Sequence, residues 1–246
     1  VGGTVADRAS RLVAAVDPIV VVGPRPRFVS RGGEKLDAAL DHFAIVVNGV
    51  RALDAGASTG GFTDCLLQRG AAAVVAVDVG RGQLHERLRR DRRVASFERT
   101  NVRTADLDDL GGLPFAVVVA DLSFISLRTV AAHLVAWAAP GGDLVLLVKP
   151  QFEAGRRQVS RGRGVIRDPE VWRSALTDVI VAFDDAGATM MGVMVSPLRG
   201  ADGNVEFLVH LRHRSPENPP ADWRRQIEVV VDAAGTPAAP AVKPEG

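Results

Sequence analysis

From about residue 45 to residue 211, short apolar runs alternate with longer stretches in which apolar residues recur every three or four positions. The apolar runs GVRALD (49–54), AVVAVD (73–78), VASFE (94–98), FAVVVAD (115–121), DLVLLVK (143–149), GVMVS (192–196) and VEFLVHL (205–211) predict seven strands. The intervening stretches predict helices over 60–69, 82–90, 127–138 and 168–186, and another over 32–43 precedes the first strand. Asp168-Pro169 is an N-cap followed by proline at the first helical position. Near-continuous β-branched runs alternating with helices imply a mostly parallel sheet covered on both faces, an α/β fold.

The ends have a different character. Residues 1–26 read as a short β-like piece and a Pro/Gly/Arg linker. Residues 215–246 begin SPENPP, have room for one helix around 221–233, and finish in an Ala/Pro-rich tail expected to be disordered. The expected units are therefore 1–26, 27–214 and 215–246. Apolar runs such as FAVVVA at 115–120 stop at six residues, whereas a membrane span needs roughly 20. No signal-peptide pattern opens the chain, and Cys65 has no second cysteine to pair with. A cytoplasmic protein is expected.

Charge changes the picture through its distribution. The net charge is only +1, yet five arginines and no acid lie between Ala154 and Arg167. Of 30 basic side chains only Lys35, Lys149 and Lys243 are lysines. Lys243 sits in the tail and reads as a solvated charge. Lys149 ends the buried run VLLVK, where arginine would hold its proton permanently and lysine need not.

The chemistry gathers where strands end. LDAGASTGGFTD (53–64) is an acid-ended strand, a glycine-rich turn and a helix start, the arrangement of a nucleotide-type site. Ser58 stands where the dinucleotide fingerprint requires glycine, which disfavours an NAD-dependent oxidoreductase. Asp54, Gly56, Ser58, Gly60, Gly61 and Phe62 are the candidates of this loop. Asp78, 24 residues after Asp54, is where a ribose-binding acid is expected, or it is a strand-end capping residue. Asn101, in ERTN, is placed to meet an adenine amino group, or is an ordinary turn asparagine. Asp121 and Lys149 end neighbouring strands, and strands lie about 4.8 Å apart, so the two side chains can pair. Lys35 in SRGGEKL and Glu206 in GNVEF would bring a second ion pair to the same edge.

SRGGEKL, LDAGASTGGFTD, ERTN, ADLSFISL, LVKPQFE and GNVEF occur in order, and together they closely resemble the TlyA family of FtsJ-like ribosomal RNA 2′-O-methyltransferases over about residues 28–211. The resemblance implies a class I, Rossmann-like methyltransferase fold with a seven-stranded sheet. It implies S-adenosylmethionine as cofactor, with Asp121 also near its amino group, and cytidine 2′-O-methylation in 16S or 23S ribosomal RNA. It implies a catalytic set of Lys35, Asp121, Lys149 and Glu206. The partner would be ribosomal RNA or a ribosomal subunit; no membrane and no metal are expected. Arg31, Arg156, Arg157, Arg161 and Arg163 would contact phosphates. Phe62, Phe124, Phe152 and Phe207 lie inside the motifs; one of them would stack on an extruded base, and core packing is expected of at least two. The family carries an S4-like RNA-binding domain, of which residues 1–26 resemble only a remnant. Two non-catalytic readings compete. One is a haemolysin, a label attached to this family but lacking a membrane-active segment. The other is a ribosome-binding module with lost or weakened activity.

Overall fold

The computed structural model describes residues 4–6, 12–20, 26–154, 164–214 and 222–235. One seven-stranded sheet runs through them: β1 (Arg51–Ala55), β2 (Ala73–Val77), β3 (Val94–Phe97), β4 (Phe115–Ala120), β5 (Ala138–Val148), β6 (Ala188–Val195) and β7 (Phe207–His213). Their spatial order is β3-β2-β1-β4-β5-β7-β6. β1 to β5 are mutually parallel; β7 is antiparallel to both β5 and β6. One strand of the mostly parallel sheet is thus reversed.

Helices α1 (Gly32–His42), α2 (Gly61–Gln68) and α3 (Glu86–Arg89) cover one face. Their Leu36, Leu40, Leu66 and Leu88 pack on Ala52, Val74, Val117 and Val145. Helices α4 (Ala131–Trp137), α6 (Pro169–Asp185) and α7 (Trp223–Gly235) cover the other, while α5 (Pro150–Glu153) is a single turn directly after β5. There Leu134, Leu176, Phe183 and Val231 pack on Leu53, Val118, Leu144 and Leu146. The strands read as continuous apolar runs because alternate side chains enter two different cores. Each fully buried Leu or Phe contributes about 1.5–3 kcal/mol.

Several expected elements are altered. The helix expected over 82–90 shrinks to Glu86–Arg89, with Gly82 at φ +66° before it. The helix expected over 127–138 opens as a 3₁₀ turn, Leu127–Val130. β5 begins at Ala138, not residue 143, pairing with Phe115 across an irregularity that carries Pro140-Gly141-Gly142. The β-like piece expected within 1–26 is not a strand at residues 4–6 or 12–20, where Leu12 and Val16 are exposed. The helix expected around 221–233 is α7, which lays Ile227, Val231 and Ala234 on the core.

Gly33 shows how tightly α1 is seated. A Cβ there would overlap the ring of buried Phe28. Gly33→Ala should therefore cost about 1–3 kcal/mol of overpacking strain. Urea unfolding checks it, and an unchanged midpoint would mean the Phe28 ring yields freely.

Candidate active site

β4 and β5 run side by side, with Ala120 opposite Leu146. Each strand ends one residue before a charged side chain, Asp121 and Lys149. Lys149 Nζ lies 2.5 Å from Asp121 Oδ1 and donates to Ser123 Oγ at 3.0 Å. β7 arrives from the opposite direction, with Phe207 opposite Val148. The residue before it, Glu206, therefore reaches the same edge. Lys35, one turn into α1, donates to Glu206 Oε2 at 2.5 Å, and both side chains are buried, 9% and 3% exposed. A Cβ on Gly200 would crowd Glu206 Oε1, so glycine lets the loop before β7 close over this carboxylate. Lys35, Asp121, Lys149 and Glu206 line one cavity of about 390 Å³, joined by Arg31 and Phe62.

The glycine loop forms the wall between this cavity and a second one. Gly56 has φ +87°, and a Cβ there would overlap the Asp121 carbonyl oxygen. Only glycine combines that backbone with that approach. Gly56 N–H and Ala57 N–H both donate to Val77 O, at 2.8 and 3.2 Å. Asp78 ties the loop down: Oδ2 accepts from Ser58 N–H at 2.8 Å and Oδ1 from Gly80 N–H at 2.6 Å. The second cavity, about 420 Å³, is walled by Val77, Val79, Val102, Leu122 and Ile125, with Asp78 and Asn101 among its lining. The two cavities share Gly56, Ser58, Asp121 and Ser123. A charged chamber thus adjoins an apolar one of small-ligand size.

Not every expected residue faces a cavity. Asp54 is completely buried and lines neither. Its Oδ2 accepts from Thr63 N–H at 2.8 Å and from Thr63 Oγ1 at 2.6 Å, which pins the start of α2, while Oδ1 has no partner. Burial pushes this carboxyl up to about 7, with Thr63 opposing the shift and the Asp121 charge adding to it. Gly60 also lines neither cavity; its φ is +97°, and a Cβ would overlap Leu88. These two residues shape the loop from behind.

Asn101 lines the apolar cavity and uses Oδ1 to accept from Arg103 N–H at 3.0 Å, an Asx turn. Phe62 is buried against Gly32, and Phe207 lies in the core. Phe124 is 91% exposed at φ +67°, and its ring centroid is 5.2 Å from that of Phe152. Arg31 is exposed at the rim of the charged cavity. Arg156, Arg157, Arg161 and Arg163 lie outside the described residues. Sequence reasoning missed Ser123, although a hydroxyl two residues past a strand-end acid was a usable signal. It also missed Glu153, whose buried carboxylate accepts from Ser126 and Leu127. Among the described residues no cluster of three or more His, Cys, Asp or Glu could hold a metal ion, and no helix is long and apolar enough to cross a membrane.

Comparison with known proteins matches the FtsJ-like methyltransferase family to residues 28–213. The 16S/23S rRNA (cytidine-2′-O)-methyltransferase TlyA of Mycobacterium tuberculosis is 52% identical over 193 residues, covering 78% of this chain and 71% of that protein. A solved structure from Streptococcus thermophilus that carries the hemolysin name superposes with TM-score 0.80 at 43% identity, covering 87% of this chain and 76% of that one. The N-methyltransferase NodS of Bradyrhizobium japonicum WM9 shares the fold at TM-score 0.52 and 20% identity, covering 77% and 97%.

The burial of Asp54 has a measurable consequence. Between pH ~4 and ~7 the folded chain keeps a proton at Asp54 that the unfolded chain has released. Its contribution to stability therefore falls as pH rises through that window and is constant above it. Asp54→Asn should flatten this part of the profile. Denaturation midpoints of both proteins between pH 4 and 8 test this, and parallel profiles would show that the carboxyl titrates normally.

Proposed function

We propose, for a chain that belongs to the FtsJ-like methyltransferase family, methyl transfer from S-adenosylmethionine to the ribose 2′-hydroxyl of a cytidine in ribosomal RNA. The observation that carries this reading is the pair of lysine–carboxylate ion pairs in one cavity, joined to an apolar cavity through the glycine loop. Membership in a methyltransferase family rules out the oxidoreductase reading, and the TlyA-named relative favours an active enzyme over an inert ribosome-binding module. The hemolysin name of the solved relative adds no membrane-active element to the described residues.

The residues present fit the cofactor. Val77, Val102 and Ile125 suit an adenine ring. Each Asp78 oxygen accepts only one loop N–H, which leaves lone pairs for ribose hydroxyls. Asp121 lines both cavities, and its carboxylate suits a sulfonium or amino group. When bound, the cofactor supplies a methyl group on a good leaving atom.

The chain's own tasks are alignment and the handling of one proton. Lys149 meets and orients the 2′-hydroxyl; once its own proton has passed to the paired Asp121 carboxylate or to solvent, the free amine takes the hydroxyl's proton, while Ser123 holds the amine in line. Lys35 steadies the developing charge on oxygen, and Glu206 keeps that ammonium in place. Arg31 at the rim, with the arginines of 154–167, contacts phosphates beside the target nucleotide. Exposed Phe124 offers a ring for the extruded base. The catalytic unit spans residues 27–214, and a ribosomal substrate places the enzyme in the cytoplasm.

Lys149→Arg should lower methyl transfer by about a hundredfold or more while cofactor affinity stays within a few-fold. Tritium transfer to isolated ribosomal subunits, with calorimetric cofactor binding, measures both; normal turnover would remove Lys149 from the proton step. Arg31→Ala should reduce the slope of log affinity for ribosomal RNA against log salt by about one. A salt titration with an unchanged slope would mean Arg31 touches no phosphate.

A further inference from the structure

We propose that Glu153 is a positioning residue of the transfer reaction, fastening the 121–127 segment to the segment that begins at Lys149. The inference rests on the roles given above to Lys149 and Asp121.

Glu153 closes α5, the short turn that starts at Pro150 just after Lys149. Its side chain is only 2% exposed. Oε2 accepts from Ser126 Oγ at 2.5 Å, and Oε1 accepts from Leu127 N–H at 2.8 Å. Arg128 Nε lies 3.5 Å from Oε2, and the same guanidinium donates to the Glu153 carbonyl oxygen at 3.1 Å. One carboxylate therefore joins two stretches 26 and 27 residues apart in the chain.

What those stretches carry gives the contact its meaning. Both partners of the Lys149 amine, Asp121 and Ser123, lie on the 121–127 segment. That segment also supplies Leu122, Phe124 and Ile125 to the apolar cavity. Phe124 holds a left-handed backbone, which persists only where its surroundings over-determine it. Phe152, the residue before Glu153, packs on Phe124 as a second tie between the same two segments. An apolar side chain would fill the place of Glu153 with no charge to bury. The carboxylate does what an apolar side chain cannot: it selects two particular donors and so sets the register of one segment against the other. Burial raises the Glu153 carboxyl above its ordinary range, while Ser126, Leu127 and Arg128 favour the ionised form.

Single-turnover transfer of tritiated methyl to isolated ribosomal subunits tests this, with subunit KM, cofactor affinity and Tm measured for each protein. Glu153→Gln keeps an acceptor for Leu127 and should transfer within about threefold of wild type. Glu153→Ala removes both acceptors and should slow transfer about thirtyfold or more, with subunit KM within threefold, at temperatures well below its Tm. Should the alanine variant not fold, Ser126→Ala, which removes the bond to Glu153 Oε2 together with the Ser126 Oγ cap on Arg128 N–H, carries the test and should slow transfer about three- to tenfold at temperatures well below its own Tm. A folded Glu153→Ala with wild-type rate, or a loss that only tracks the unfolded fraction, overturns the inference. So does a glutamine variant as slow as alanine, because the Leu127 acceptor it keeps would then hold nothing in place. An inactive wild-type enzyme would overturn the function proposed above, and this inference with it; an active wild type beside an unaffected, folded Glu153→Ala overturns this inference alone.

Discussion

A buried ammonium needs a counter-charge, because an unpaired ion in a desolvated setting is strongly destabilising. The side chains of Lys35 and Glu206 are both buried. Neither would be tolerated there without the other, so α1 and the start of β7 must meet. Lys149 and Asp121 obey the same rule in a slightly wetter place, side chains 11% and 25% exposed. These two pairings fix which ends of the sheet elements converge, and the charged cavity is the space between them. Because a buried pair contributes little net stability compared with an apolar substitute, its presence twice at one edge points to chemistry.

Behind the cavities a different constraint operates. The loop from Asp54 to Thr63 must pass within contact of the Asp121 carbonyl and still leave an opening on each side. Gly56 allows the approach, Ser58 takes a left-handed backbone held by Asp78, and Gly60 lets Leu88 pack under the loop. The ligand-facing side of this loop is shaped by residues that face away from it.

Much of this was legible in the sequence, and the gaps have physical causes. All seven strands follow from the apolar runs, and the pairing of Asp121 with Lys149 from runs that end in charged residues, whereas Lys35, on a helix, and Glu206, ahead of a strand, enter the set through the motifs around them and the family resemblance. The reversal of β7 is not legible, since a buried strand reads alike in either direction. Pro140-Gly141-Gly142 looks like a loop, and only pairing with β4 draws it into β5. Asp54 reads as a ligand-facing acid because it ends a strand. Period-two alternation, which puts it on the face of Ala52 beneath α2, was the signal that could have corrected this. Glu153 was invisible because its partners at 126 and 127 are neighbours only after folding. Arg156, Arg157, Arg161 and Arg163 keep their standing as charge-pattern candidates.

The single reversed strand bears on how the protein is made. Lys35 leaves the translating ribosome 171 residues before its counter-ion Glu206. With synthesis at about 5–20 residues per second, the interval lasts on the order of ten seconds or more. Until β7 has emerged and inserted between β5 and the edge strand β6, the nascent sheet lacks its reversed strand and the Lys35 ammonium has no Glu206 carboxylate to meet. The charged cavity is therefore completed late, and a chain interrupted before residue 206 lacks the carboxylate that Lys35 meets.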